Sequence, residues 1–131
     1  MTEPKVVLYA DDDVDDKAWV QDACQAANSA LELEFVDNGN EVLEFLKSKS
    51  HTVLPSLIVL DLNMPELDGR QTLKAIKSSP AYQHIPVAIV TTSSSKLDRD
   101  VCQRLGASLF LTKPNTYNEW QDIVKQLEPF V

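Results

Sequence analysis

Five short apolar runs, each followed by a longer segment with apolar residues at helical spacing, recur along the 131-residue chain. That rhythm is the pattern of repeated strand and helix, and it leaves few folds open. Residues 6–10 form a nearly continuous apolar run that stops at three aspartates. Residues 13–27 then carry Val14, Ala18, Val20, Ala23, Cys24 and Ala27 at helical spacing, with acids in the first turn where the helix dipole favours them. Residues 31–36 alternate as a strand, and Asn38, Gly39 and Asn40 supply a turn and a cap. A helix through Val42, Leu43, Phe45 and Leu46 follows and ends in the polar residues 47–50. Residues 57–60 are wholly apolar, which predicts a strand buried on both faces. A loop over 61–69 leads to a helix through Leu73 and Ile76 that must stop near Pro80. Strands at 87–90 and 109–111 flank a helix at 97–105, with Gly106 placed as its C-cap. Trp120, Ile123, Val124 and Leu127 mark the last helix.

Parallel strands joined by helices need right-handed crossovers, so the expected fold is an α/β domain with a doubly wound parallel sheet covered on both faces. No repeat, low-complexity tract or linker divides the sequence, and one domain over residues 1–131 is expected. Twelve basic against twenty acidic residues give a net charge of −8, which repels nucleic acid and anionic membranes alike. No stretch approaches the roughly 20 apolar residues of a membrane span, and residues 1–5 lack the pattern of a signal peptide, so a cytoplasmic location is expected. Cys24 and Cys102 have no metal-site or redox companions and are read as packing thiols.

In an open α/β sheet the site forms beyond the carboxyl ends of the strands. The first run is followed by Asp11, Asp12 and Asp13, the third by Asp61 and Asn63, the fourth by Thr91, and the fifth by Lys113 and Pro114. Only the second, ending in Val36, Asp37 and Asn38, offers no chemical set. Carboxylates converging on one cleft repel each other unless a cation compensates them. Oxygen ligands without His or Cys suit Mg²⁺, which keeps waters that a phosphate can replace. A lysine and a hydroxyl opposite complete a cage for phosphoryl oxygens.

Asp11-Asp12 after the first strand, Asp61 in LIVLDLNMPELDG, Thr91 in VAIVTT and Lys113-Pro114 in LFLTKP resemble the receiver domain of two-component response regulators. The resemblance spans essentially the whole chain. It implies a flavodoxin-like five-stranded sheet of order 2-1-3-4-5 and a single receiver domain without an output domain. It also implies that Asp61 is the phosphoacceptor, that Asp12, Asp61 and the carbonyl of Asn63 ligate Mg²⁺, and that Asp11 holds metal-bound water. Lys113 and Thr91 would each take a phosphoryl oxygen, and Phe110 stands at the position of an aromatic switch. The implied partners are a sensor histidine kinase or a histidine phosphotransfer protein, a downstream protein target, and a second copy through the face of the fourth helix, fifth strand and fifth helix. The implied role is a switch that assists its own phosphorylation and dephosphorylation rather than an enzyme. The stretches DGR and TTSSS are most similar to the small receivers paired with bacterial phytochromes.

Each position also has a plainer reading. Asp13, Asp15 and Asp16 suit a helix start, Thr91 alone can bond backbone, Phe110 alone can be core, and His51 and His84 lie in loops without a role. Val14 replaces a proline common in the family, Thr92 stands where many relatives have a smaller residue, and Phe110 lacks the hydroxyl of tyrosine, so it must switch by packing alone. Pro114 constrains the backbone beside Lys113. The competing reading is a Mg²⁺-dependent phosphatase of the haloacid-dehalogenase type, which also forms an aspartyl-phosphate. Such enzymes carry a second aspartate two residues after the nucleophile, where this chain has Asn63.

Overall fold

In the computed structural model, which describes residues 5–48 and 54–131, all five apolar runs become strands. They are β1 (Lys5–Ala10), β2 (Leu31–Val36), β3 (Leu57–Leu60), β4 (Val87–Thr91) and β5 (Leu109–Thr112). All neighbouring pairs are parallel, in the order β2-β1-β3-β4-β5. The expected flavodoxin-like arrangement is therefore the observed one. His51 lies outside the described residues, as does the end of the polar stretch 47–50, while His84 sits exposed in the turn before β4.

Alternation along the strands divides the core into two layers. Leu8, Ala10, Ile58, Leu60, Val87 and Ile89 face α2 (Gly39–Ser48), α3 (Gly69–Lys77) and α4 (Lys96–Leu105) through Val42, Leu46, Leu73, Ile76 and Cys102. Val7, Tyr9, Leu57, Val59, Ala88 and Val90 face α1 (Val14–Ala26) and α5 (Tyr117–Leu127), where Val20, Cys24 and Trp120 close the layer. Each fully buried Leu or Ile contributes about 2 kcal/mol of transfer free energy, so the layers hold the strand ends in fixed positions. Both cysteines are free and buried as expected, and burial pushes the Cys24 thiol up to about 11.

Local chemistry sets the helix ends. Asp13 caps α1 by accepting from the N–H groups of Asp15 and Asp16, and Asp68 forms a capping box with Gln71 at α3. Ser95 caps α4, and Gly106 ends it in the left-handed region at φ 106°. The cap of α2 is Asn38, whose Oδ1 accepts from Glu41 N–H, so Gly39 and Asn40 belong to the helix rather than to a turn. A 3-10 turn over Glu128–Phe130 follows α5. Among the described residues no helix is long and apolar enough to cross a membrane.

Candidate functional site

Register brings the site together. Ala10 pairs with Leu60, so the next residues, Asp11 and Asp61, stand side by side at the carboxyl edge of the sheet. The ladder carries on past the strand ends, with Asp11 N–H donating to Val36 and Asp61 N–H to Ala10. On the other side Thr91 pairs with Thr112, and Lys113 N–H donates to the Thr91 carbonyl at 2.6 Å. Asp11, Asp61 and Thr91 are buried, whereas Asp12 and Asn63 are exposed at the mouth.

Lys113 is the centre of this cluster. Its Nζ lies 2.8 Å from Asp61 Oδ2, 2.9 Å from Asp11 Oδ2 and 2.7 Å from Asp16 Oδ2. Burial works to lower the Lys113 pKa, but the hydrogen bonds it donates to Asp16 and Asp61, with the ion pair to Asp11, outweigh it and hold the ammonium well above its ordinary range. The compensating cation of the carboxylate cluster is thus, in the first place, a side chain of the chain itself. Lys113-Pro114 is a trans peptide, so the constraint expected of Pro114 is its fixed φ and not a cis bond.

One oxygen of the cluster remains poorly served. Asp11 Oδ1 accepts from Asp13 N–H, yet the buried Oδ2 has no hydrogen-bond partner of acceptable geometry, although it lies within ion-pair distance of Lys113. Burial raises the Asp11 pKa despite that pairing. Carboxylate oxygens of Asp11, Asp12 and Asp61 also lie within 4.8 Å of one another. An orphaned buried oxygen among hard donors, with no nitrogen or sulfur ligand, fits a small divalent cation.

The remaining oxygens are lightly held. Asn63 N–H reaches Asp61 Oδ1 at 3.4 Å, and Ser93 N–H reaches Thr91 Oγ1 at 3.5 Å, both at the long limit of a hydrogen bond. Three clustered carboxylates, Asp61 among them, a buried hydroxyl with little to break and an ammonium converge on one edge. This arrangement can accept a phosphoryl group. The response regulator receiver domain family matches residues 7–125.

The chain belongs to this family. The response regulator Rcp1 of Synechocystis sp. is 32% identical over 130 residues, covering 97% of this chain and 88% of Rcp1. The solved Mn²⁺-bound form of Rcp1 has a TM-score of 0.84 to this chain at 32% identity, covering 97% of this chain and 94% of that one. The phosphorylated cyanobacterial phytochrome response regulator RcpA has a TM-score of 0.88 at 30% identity, covering 98% and 94%. The haloacid-dehalogenase reading is set aside, and the protein is a receiver of two-component signalling.

Two features of this receiver were not expected from its sequence. Asp16 does occupy the first turn of α1, but its side chain turns inward to Lys113 instead of only serving the helix start. The signal was faint. The five acids in the run DDDVDD exceed what one cap and one ligand set need, yet nothing local says which acid turns in. The second feature is a polar chain behind Thr91. Ser93 Oγ donates to Asp98 Oδ2 at 2.6 Å, Asp98 pairs with Arg70 of α3, and Thr112 Oγ1 donates to the Ser93 carbonyl at 3.1 Å. Bonds from Ser93 and Arg70 hold the Asp98 carboxyl below its usual range.

The Asp11 burden gives a direct test. Its folded pKa lies above the ordinary 3.8, so stability is lost as pH rises from 3.8 towards the folded value, and the deficit persists at neutral pH. Asp11→Asn is expected to melt higher than wild type at pH 7 without divalent metal and to lose most of its response to Mg²⁺. A lower melting temperature for the variant would show that the Lys113 pairing outweighs the burial.

Proposed function

We propose that this receiver accepts a phosphoryl group from a histidine kinase or histidine phosphotransfer protein onto Asp61, with Mg²⁺ held at Asp11, Asp12, Asp61 and the Asn63 carbonyl. The convergence of Lys113 Nζ on Asp61 within 2.8 Å, beside the orphaned Asp11 oxygen, carries the reading. An Asp61 oxygen bonds to phosphorus while the bond from phosphorus to the donor histidine nitrogen breaks, and the electron pair stays with that nitrogen. When bound, the cation offsets negative charge on the transferred oxygens. Lys113 donates to one phosphoryl oxygen and Thr91, freed from its long bond to Ser93, to another. One receiver domain over 1–131 acting in the cytoplasm as a switch, and not as a metabolic enzyme, completes the proposal.

Incubation with Mg²⁺ and acetyl phosphate tests it by intact-mass spectrometry. Asp61 displaces acetate and gains one phosphoryl group, while a protein that gains none is not an acceptor. Mg²⁺ alone is expected to stabilise the fold by mass action, about 1.4 kcal/mol at tenfold over Kd. That corresponds to a melting shift of about 4 °C, and indifference to millimolar Mg²⁺ would remove the metal from the proposal.

Readout follows from Phe110. It is buried against the α4 side of the sheet with the Arg99 guanidinium 5.1 Å from its ring centroid, beside a cavity of about 160 Å³ lined by Arg99, Gln103 and Ala107. Movement of Thr91 towards the phosphoryl group opens space for Phe110 and reshapes the α4, β5 and α5 face, where a target or a second copy docks. Phe110→Ala is expected to keep the adduct on Asp61 but to lose phosphorylation-dependent partner binding or dimerisation, measured by light scattering with and without beryllofluoride. Unchanged dependence would move the readout to the loop over 92–96.

A further inference from the structure

The ammonium of Lys113 has three protons and meets three carboxylates, of which Asp16 is the nearest at 2.7 Å. Two of the three, Asp11 and Asp61, belong to the cluster suited to a cation. Their negative charge is shared with that cation when it binds, and Asp61 gives up its carboxylate charge when its oxygen is phosphorylated. Asp16 stands outside the cluster. Its carboxylate is the one partner of Lys113, among the described residues, whose charge survives both events.

Asp16 is also the partner that helix α1 contributes. Asp16 N–H is held by the Asp13 side chain, and its own side chain is 17% exposed, while Asp12, Asp13 and Asp15 face solvent. Lys113 leaves β5, an edge strand, and its four-carbon stem has to stay extended across the site to the α1 side. A flexible chain with several rotamers needs an anchor if its head is to meet a phosphoryl oxygen in one geometry.

Resting on the acceptor reading of Asp61, we propose that Asp16 is a positioning residue, holding Lys113 in place through metal binding and phosphoryl transfer. Lys113 keeps one proton on Asp16 and turns the others from Asp61 and Asp11 to the incoming oxygens. Asp16 itself touches no reacting atom and acts through the lysine.

The test is the time course of the Asp61 adduct with acetyl phosphate and Mg²⁺, followed by intact mass for wild type, Asp16→Asn, Asp16→Glu and Asp15→Ala. Asp16→Asn is expected to form the adduct about tenfold more slowly, the size of effect that slight misplacement of a catalytic group produces. Asp16→Glu, which restores the charge, is expected to recover at least part of the rate. Asp15→Ala removes an exposed acid from the same helix turn without touching the ion pair or the Asp13 cap, and is expected to react as wild type does. A wild-type rate for Asp16→Asn overturns the proposal. So does an equal slowing by Asp15→Ala, which would make the effect one of acidic charge on helix α1, or a fall in Mg²⁺ affinity that matches the fall in rate. Should Asp16→Asn not fold, Asp16→Ser is read in its place by the same criteria. Wild type that gains no phosphoryl group sinks the acceptor reading first, a result distinct from any difference among the variants.

Discussion

Asp61→Asn is expected to fold and to form no phosphoryl adduct, the largest functional effect of any single change in this receiver. The amide occupies the volume of the carboxylate, and the ladder bond from its N–H to the Ala10 carbonyl is unaffected, so the end of β3 keeps its place. Lys113 retains Asp16 and Asp11 as partners. What disappears is the nucleophile, because an amide oxygen carries no full charge and does not attack phosphorus at a useful rate. One of the three clustered acids is lost as well, so the melting response to Mg²⁺ is expected to shrink. Intact-mass spectrometry after acetyl phosphate treatment reads the outcome. An undiminished adduct would place the acceptor elsewhere, with the exposed Asp12 the first position to map.

Gly69→Ala is expected to have the largest effect on stability for the smallest chemical change, about 3 kcal/mol, towards the upper end of what overpacking costs. A Cβ at this position would lie 2.3 Å from the Asp61 carbonyl oxygen and 2.8 Å from the Leu62 Cα. Both are backbone atoms at the end of a strand buried on both faces, and neither can step aside without moving Asp61. Gly69 N–H also donates to the Leu62 carbonyl, closing the loop back onto its own start. Denaturant unfolding with wild type as reference measures the loss. A cost below about 1 kcal/mol would show that the acceptor loop yields more readily than its packing indicates.

The parts of this molecule that were legible in its sequence are those fixed by short-range pattern. A strand ends where its apolar run ends, so Asp11, Asp61 and Lys113 could be placed at the carboxyl edge without knowledge of any contact. Parallel pairing then set Asp11 beside Asp61 and Lys113 just past Thr91 on the same edge. Gly106 as a C-cap followed from the conformational freedom it needs at φ 106°. The role of Asp16 was not legible, because it depends on the angle at which α1 docks and on a partner 97 residues away. The same holds for Arg70 and Asp98, which are 28 residues apart on separate helices, and for Lys17 and Asp37, an ion pair between α1 and the end of β2 that gives the otherwise bland second strand a structural task. Hydrophobic period names the buried face of a helix but not which of several adjacent acids turns inward.

The polar chain from Thr91 through Ser93 and Asp98 to Arg70 joins the edge of the sheet to two helices at once. Under the proposed function this has a thermodynamic corollary. A target that grips α4 in its shifted position must first release Ser93 or Asp98, and so biases the same equilibrium that phosphorylation biases from the other end. Linkage then runs in both directions: whatever factor the phosphoryl state adds to target affinity, the bound target returns to the affinity of the site for a phosphoryl mimic. Beryllofluoride titrated against the receiver alone and against its target complex should give two binding constants in that ratio. The downstream partner is in that sense a ligand of the acceptor site, felt there through four side chains rather than by contact.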